Sequence, residues 1–144
     1  TVYGPRQRPD MAFMKFIMRT LRKKPIIVYG DGNQKRSFTY IDDIIDGTIS
    51  SINISRNGEI INLGGGQISS INKNIEILSE ILGQEVKTVY KNFPVGDVNR
   101  TEADISKAKK LIGFKPKISL KEGLEFQYEF VKKNRKVYDF DSEN

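Results

Sequence analysis

The 144-residue chain contains no cysteine and no histidine. Without cysteine there is neither a disulfide framework nor a thiolate nucleophile, and without histidine the commonest general base and metal ligand is missing. Zinc sites and Ser-His-Asp or Cys-His catalysis are thereby excluded. Its five prolines are far too few for a collagen-like or low-complexity chain. Apolar runs end after a handful of residues, well short of the roughly 20 that cross a bilayer. The opening TVYGPRQRPD has no basic-then-apolar leader pattern. A soluble, cytoplasmic protein without a membrane partner is expected.

A hydrophobic content of 38% beside 29% charged residues fits an ordinary globular domain with a single core. The net charge of +6 points toward an anionic partner such as nucleic acid, acidic lipid or a phosphorylated small molecule. Lysine-rich surfaces also serve solubility alone, so charge does not choose among these.

TVYGP reads as a strand stub meeting a Gly-Pro turn and suggests the continuation of a longer chain. Asp10 is the expected N-cap of a helix with Phe13, Phe16, Ile17 and Leu21 on one face, closed by a basic run and Pro25. PIIVYG (25–30) is a short β-branched strand, and DGN is turn chemistry. Asp42 or Asp43 is expected to cap a helix burying Ile44, Ile45, Thr48, Ile49 and Ile52, in which Gly47 implies close packing. EIINL (59–63) is expected as a strand running into Gly64, Gly65 and Gly66. Ser69 or Ser70 opens the next helix, which Gly83 ends, and VKTVY (86–90) forms a third strand. Asp104 caps a short helix ending at Gly113, and the capping box SLKE (119–122) opens the last helix. Strands alternating with helices give a mixed α/β fold with short parallel pairings.

Four arrangements invite a chemical reading, each with a plainer one beside it. GGGQIS, between strand and helix, could let amides approach a pyrophosphate, but Ser69 stands where the full fingerprint has a third glycine. The plainer reading is a tight turn that touches a ligand, if at all, through its backbone. Tyr128 and Lys132 have the Tyr-x-x-x-Lys spacing of a dehydrogenase acid-base pair, which any i, i+4 helix pair also satisfies. Asp42 and Asp43 could be a carboxylate dyad or first-turn residues. Lys35 and Arg36 lie beside an aromatic on a turn; guanidinium suits a diphosphate because it is permanently charged and binds two oxygens at once, though a solvated surface is the alternative.

Taken in order, VYGPRQRPDMAF, PIIVYGDGNQKRSFTYIDDI, INLGGG, GDVNRTEADISKAKKLIGFKP and ISLKEGL resemble the C-terminal half of the NAD-dependent sugar-nucleotide epimerases and dehydratases, the extended short-chain dehydrogenases. The resemblance covers essentially the whole chain, and the RPDMAF form is most similar to UDP-glucose 4-epimerases and related UDP-glucuronate epimerases. It implies a small mixed α/β substrate-binding domain, residues 1–144. Residues 38–66 would supply a strand and a helix that complete an absent Rossmann domain. It further implies that the glycine-rich NAD loop and the catalytic Tyr-x-x-x-Lys lie before VYGP, so that this chain carries no catalytic and no metal-ligating residue and is inactive by itself.

By the same resemblance, Arg36 binds the nucleotide diphosphate, Phe38 walls the same pocket, and Tyr29 and Ile27 lie at the uracil. Arg100 and Asp97 belong to a second nucleotide loop, directed toward phosphate and ribose, and Gln67 lines the nucleotide side. Tyr3, Gly4 and Pro5 border the nicotinamide of NAD, with Arg6 and Arg8 at sugar or phosphate. The implied reaction is 4-epimerisation of a UDP-hexose by transient oxidation at C4, rotation of the ketose and return of the hydride. Its partners would be the nucleotide sugar, the missing N-terminal half and, when intact, a second copy, with no nucleic acid. The alternatives are a dTDP- or GDP-sugar dehydratase, a UDP-glucuronate epimerase or decarboxylase, or a nonenzymatic basic module that binds nucleic acid.

Overall fold

The computed structural model describes residues 1–52, 54, 58–92 and 98–138. In chain order the elements are β1 (Val2–Tyr3), α1 (Ala12–Leu21), β2 (Ile26–Tyr29), β3 (Lys35–Tyr40), α2 (Ile41–Ser51) and β4 (Gln67–Ser70). There follow α3 (Ile71–Leu82), β5 (Thr88–Lys91), β6 (Arg100–Thr101), α4 (Ser106–Ile112) and α5 (Leu120–Lys133), with a single 3-10 turn at Arg135–Val137.

Strand β3 is the centre. Its KRSFTY begins with two cations, exposed and half-buried, and continues with four buried residues, Phe38 and Tyr40 on one face and Ser37 and Thr39 on the other. It pairs in parallel with β1 (Tyr3 opposite Tyr40) and with β6 (Arg36 opposite Thr101), and antiparallel with β4 (Phe38 opposite Gln67). A separate ribbon joins β2 to β5 in parallel, with Tyr29 opposite Lys91. The mixed α/β class with short parallel pairings therefore holds, but β3, β4 and β6 are additions to the strands read from sequence. The expected strand at 59–63 is not one: no ladder partner reaches it, and Ile61 and Leu63 pack instead on a small cluster of Ile105, Ala108 and Phe114.

The main core lies between α1, α3, α5 and the strands and contains Tyr3, Phe13, Met14, Ile17, Val28, Phe38, Leu78, Leu120, Leu124 and Val131. Tyr3 stands edge-on to Phe13 and Tyr40, with centroids 5.2 and 5.6 Å away, and Phe13 stacks on Phe38 at 4.5 Å. Gly123 lets the Tyr3 ring lie against α5, because a Cβ there would overlap the phenol oxygen.

Two helix starts obey the sequence. The hydroxyls of Ser70 and Ser119 accept from the amides of Lys73 and Glu122, both at 3.2 Å, and Gly83 and Gly113 end α3 and α4 with left-handed φ of 63° and 64°. Three others do not. Ile105, not Asp104, occupies the N-cap of α4, while the Asp104 carboxylate accepts from the Ser106 amide at 2.9 Å just ahead of the helix. Met11, not Asp10, occupies the N-cap of α1, because the Asp10 carboxylate is held by Arg8 at 2.7 Å. Tyr40 precedes α2, while Asp43, buried in its first turn, accepts from the amides of Lys117 and Ile118 at 2.9 and 3.2 Å. Asp43 thus ties α2 to the segment entering α5.

Helix α2 also departs from its expected buried face. Gly47 does pack closely, since a Cβ there would come within 2.7 Å of the Phe114 ring. Yet Ile45, Ile49 and Ile52 are 46%, 58% and 76% exposed, and Ile60 beyond the helix is 82% exposed. No helix among the described residues is long and apolar enough to cross a membrane.

Candidate functional site

Helix α1 and strands β2 and β3 enclose a cleft of about 830 Å³, within the range of small-molecule sites. One wall is a face of the β3 segment: Gln34, Arg36 and Phe38, each two residues apart, all line the cleft, while Lys35 and Ser37 do not. The second wall is Ile27–Tyr29 of β2, and the floor is the Phe13, Met14 and Phe16 side of α1.

The strand β2 has an open edge. The amides of Ile26 and Gly30 donate to the carbonyls of Lys87 and Lys91, each at 2.8 Å, so alternation turns the amides of Ile27 and Tyr29 to the other side. No described strand pairs with β2 there. The Tyr29 carbonyl on that edge accepts from Nε2 of Gln34 at 2.8 Å. Lys15, Arg19, Arg22, Lys24 and Arg36 also line the cleft, whereas its one acidic lining residue, Asp10, is bound by Arg8. That ion pair, led by the hydrogen bond, holds the Asp10 carboxyl below its ordinary range. The balance of charge in the cleft is therefore cationic. Arg36 is anchored through Nη1 to the Lys35 carbonyl at 3.0 Å.

Four of the residues singled out in the sequence, Ile27, Tyr29, Arg36 and Phe38, meet in this cleft. Tyr29 is 47% exposed, whereas Phe38 is buried and contributes mainly through its stack on Phe13. Arg100 lies elsewhere: the register sets it opposite Lys35, on the face of β3 turned away from the cleft, and Glu102 pairs with it at 2.7 Å. Gln67 accepts from the Leu120 amide at 3.2 Å and so serves the start of α5. Asp97 lies outside the described residues.

Tyr3 is 2% exposed, with its hydroxyl donating to the Ser119 carbonyl at 3.3 Å. Burial, reinforced by the nearby Asp43 charge, raises its pKa far above the ordinary value. Gly4 has φ of 136° and sits under Ile41, where a Cβ would come within 2.7 Å. Pro5 and Arg6 follow it in a turn closed by the Gln7 amide on the Gly4 carbonyl at 3.2 Å, Arg6 having a left-handed φ of 63°. Arg8 is exposed and carries the Asp10 pair.

The other chemical candidates resolve into structure. Lys132 Nζ sits 5.5 Å over the Tyr128 ring and pairs with Glu129 on α5, and neither Tyr128 nor Lys132 lines the cleft. Among the described residues no group of three or more carboxylates could hold a metal. The GGGQIS turn is filled by protein: a Cβ at Gly66 would overlap the Phe38 carbonyl, and one at Gly65 would come within 2.9 Å of Ile105. Its amide at Gly66 is spent on Thr39 Oγ1 at 3.2 Å. Gln34 is one of the lining residues that the sequence reading passes over, because it emerges only once 35–40 is seen as a strand.

A mixed α/β domain with a cationic, aromatic-walled cleft along an open strand edge has the makings of a phosphorylated-ligand site. Comparison with known proteins places it more closely: residues 1–126 match the family described as GDP-mannose 4,6 dehydratase, and the chain belongs to this family of extended short-chain dehydrogenases. It is 52% identical over 135 residues to a UDP-glucuronate 4-epimerase of Thermodesulfobacterium geofontis, which covers 93% of this chain and 42% of that protein. The solved UDP-glucuronic acid 4-epimerase of Bacillus cereus, in complex with UDP-glucuronic acid and NAD, is 45% identical with a TM-score of 0.89 over 93% of this chain and 43% of that one. A UDP-glucose 4-epimerase of Thermotoga maritima with UDP-glucose is 35% identical, TM-score 0.86, over 94% and 44%. The chain thus spans less than half the length of the relatives it matches.

Proposed function

We propose that this chain holds the UDP-sugar substrate of an NAD-dependent 4-epimerase. The observation that carries the reading is the cleft in which an open β2 edge meets the Arg36 face of β3. Along that edge the Ile27 amide, Ile27 carbonyl and Tyr29 amide run donor, acceptor, donor, the complement of the imide edge of uracil. Tyr29 and Ile27 then hold the base, Phe38 backs the pocket, and Arg36 takes the diphosphate through paired charge-assisted hydrogen bonds. Asp97 and Arg100 are proposed contacts of a second loop toward ribose and phosphate. Arg6, Arg8 and Gln67 are proposed for the sugar and nucleotide side, and Tyr3, Gly4 and Pro5 for the border of the nicotinamide.

The sugar is proposed to be a uronate. The sequence reading placed UDP-glucose first, but UDP-glucuronate 4-epimerases stand at 52% and 45% identity against 35% for the UDP-glucose enzyme. The triple-glycine turn is not a cradle for the NAD pyrophosphate, because it is packed solid, which leaves Tyr3, Gly4 and Pro5 as the residues proposed to border the cofactor. The redox chemistry is therefore assigned to a domain outside this chain, and the chain alone is proposed to bind without turning over.

Calorimetric titration of the 144-residue chain with UDP, UDP-glucuronate and UDP-glucose tests this. UDP is expected to bind, and Arg36→Ala to weaken it by about tenfold or more, the size of one charge-assisted hydrogen bond. Absence of binding by every uridine nucleotide, or an Arg36→Ala affinity equal to wild type, overturns the proposal.

A further inference from the structure

Along α5 the buried positions are Leu120, Gly123, Leu124, Gln127 and Val131, spaced as the stripe of a helix turned to the core. Gln127 is the polar member of that stripe, and it is 0% exposed. Its Nε2 donates to Gln7 Oε1 at 2.9 Å, and Gln7 Nε2 donates in turn to the Val2 carbonyl at 3.0 Å. A carbonyl can only accept, so Val2 fixes which way both amides face: the Gln7 nitrogen points to Val2 and the Gln127 nitrogen to Gln7. Gln127 Oε1 is thereby left in the interior without a partner among the described residues. A buried acceptor that meets no donor costs stability, and an apolar side chain of the same length would avoid that cost. The stability of α5 therefore does not account for Gln127.

The group that Gln127 holds does account for it. Gln7 belongs to the loop of residues 4–11, which brings Gln7, Pro9, Asp10 and Met11 to the cleft, whereas Gln127 is not in the lining. Bonds inside the loop are local: the Gln7 amide to the Gly4 carbonyl at 3.2 Å, the Met11 amide to the Arg8 carbonyl at 3.1 Å, and the ion pair of Arg8 with Asp10. They give the loop its shape but not its place. Its place comes through the Gln7 side chain, held at the nitrogen by β1 and at the oxygen by α5. Arg6 has a φ of 63°, a conformation that a residue with a side chain keeps where its surroundings hold it. Arg6 and Arg8 flank Gln7, so a shift of Gln7 moves both.

We propose that Gln127 is a positioning residue: from inside α5, without touching ligand, it sets the Gln7 loop against the cleft and so tunes the affinity for the sugar end of the ligand. This assignment rests on the reading above that gives Arg6 and Arg8 to the sugar. The half-satisfied amide in the core is stability given up for a loop held in one place.

The experiment titrates the 144-residue chain with UDP and UDP-glucuronate in wild type, Gln127→Met, Gln7→Met and the double variant. Melting is followed by circular dichroism, and amide hydrogen exchange is read at Gln7 and Met11. Wild type is expected to bind UDP-glucuronate more tightly than UDP. In Gln127→Met that preference falls by about fivefold, the value of one hydrogen bond, while UDP affinity stays within about twofold. The Gln7 amide exchanges about tenfold faster, through local opening of the loop. The melting temperature holds within about 2 °C or rises. The double variant loses no more of the preference than Gln7→Met, because one bond is broken only once. A Gln127→Met chain that keeps the wild-type preference, or the wild-type exchange at Gln7, overturns the inference. So does one that fails to fold or melts well below wild type, since Gln127 then serves the fold. Wild type that binds UDP but gains nothing from the glucuronate counts against giving Arg6 and Arg8 to the sugar, and absence of UDP binding counts against the uridine nucleotide reading. In both cases exchange at Gln7, which needs no ligand, still decides whether Gln127 places the loop.

Discussion

Individual side chains decide how this cleft works. Arg36 was singled out through the family resemblance, since a guanidinium beside an aromatic on a turn reads as well as solvated surface, and the structure sets it in the cleft lining. Gln34 was not, because an amide in a turn carries no signal until the period of two across 34, 36 and 38 is known. Arg100 shows the reverse limit: its identity suggests a phosphate contact, but only the pairing of Lys35 with Arg100 reveals that it leaves the ribbon on the other face. Tyr3 gives a prediction at this scale. Its phenol is raised well above the ordinary value of 10 by burial first and by Asp43 next. The unfolded chain therefore ionises first as pH rises. The stability from neutral Tyr3 is complete below about pH 10 and is lost above it. Alkaline unfolding followed by circular dichroism should begin near that pH in wild type, and Tyr3→Phe should lack that component. The same variant should cost about 1 kcal/mol at neutral pH through the lost bond to Ser119.

At the scale of elements, helix boundaries written by side-chain chemistry were readable, and boundaries written by tertiary partners were not. Ser70, Ser119, Gly83 and Gly113 act within one turn of their own position, so sequence suffices. Asp43 looked like a cap because it heads a helix, yet its carboxylate is claimed by amides of Lys117 and Ile118, more than seventy residues away. The β3 strand was hidden for the same reason: its three partners come from residues 2–3, 67–70 and 100–101, none adjacent to it. Two substitutions separate the cases. Ser119→Ala should cost about 1 kcal/mol, the usual value of an N-cap, while Asp43→Ala, which strands two inward-facing amides, should cost about 2–3 kcal/mol. Urea unfolding midpoints at pH 7 compare them directly. An Asp43→Ala loss no greater than that of Ser119→Ala means the tie between α2 and α5 is not structural.

The whole molecule poses the question of why a helix should turn its isoleucines outward. In α2 the buried positions are Asp43 and Gly47, while Ile45 and Ile49 are about half exposed and Ile52 and Ile60 mostly so. Sequence periodicity called these a buried face, and periodicity reports only that a face wants to be dry, not which body covers it. We propose that this exposed surface is the seat of a second domain, consistent with the chain covering 42% of its UDP-glucuronate 4-epimerase relative. If so, the isoleucines contribute nothing to the stability of the chain alone. Ile45→Lys with Ile49→Lys should shift its melting temperature by no more than about 2 °C, as exposed substitutions do. Binding of an apolar dye and self-association in sedimentation should both fall, since the exposed patch shrinks. Leu124→Ala in the core provides the contrast, at about 2–5 kcal/mol. Were the lysine pair to destabilise the chain as much as Leu124→Ala, the α2 face would belong to this domain's own core and no second body would be needed to explain it.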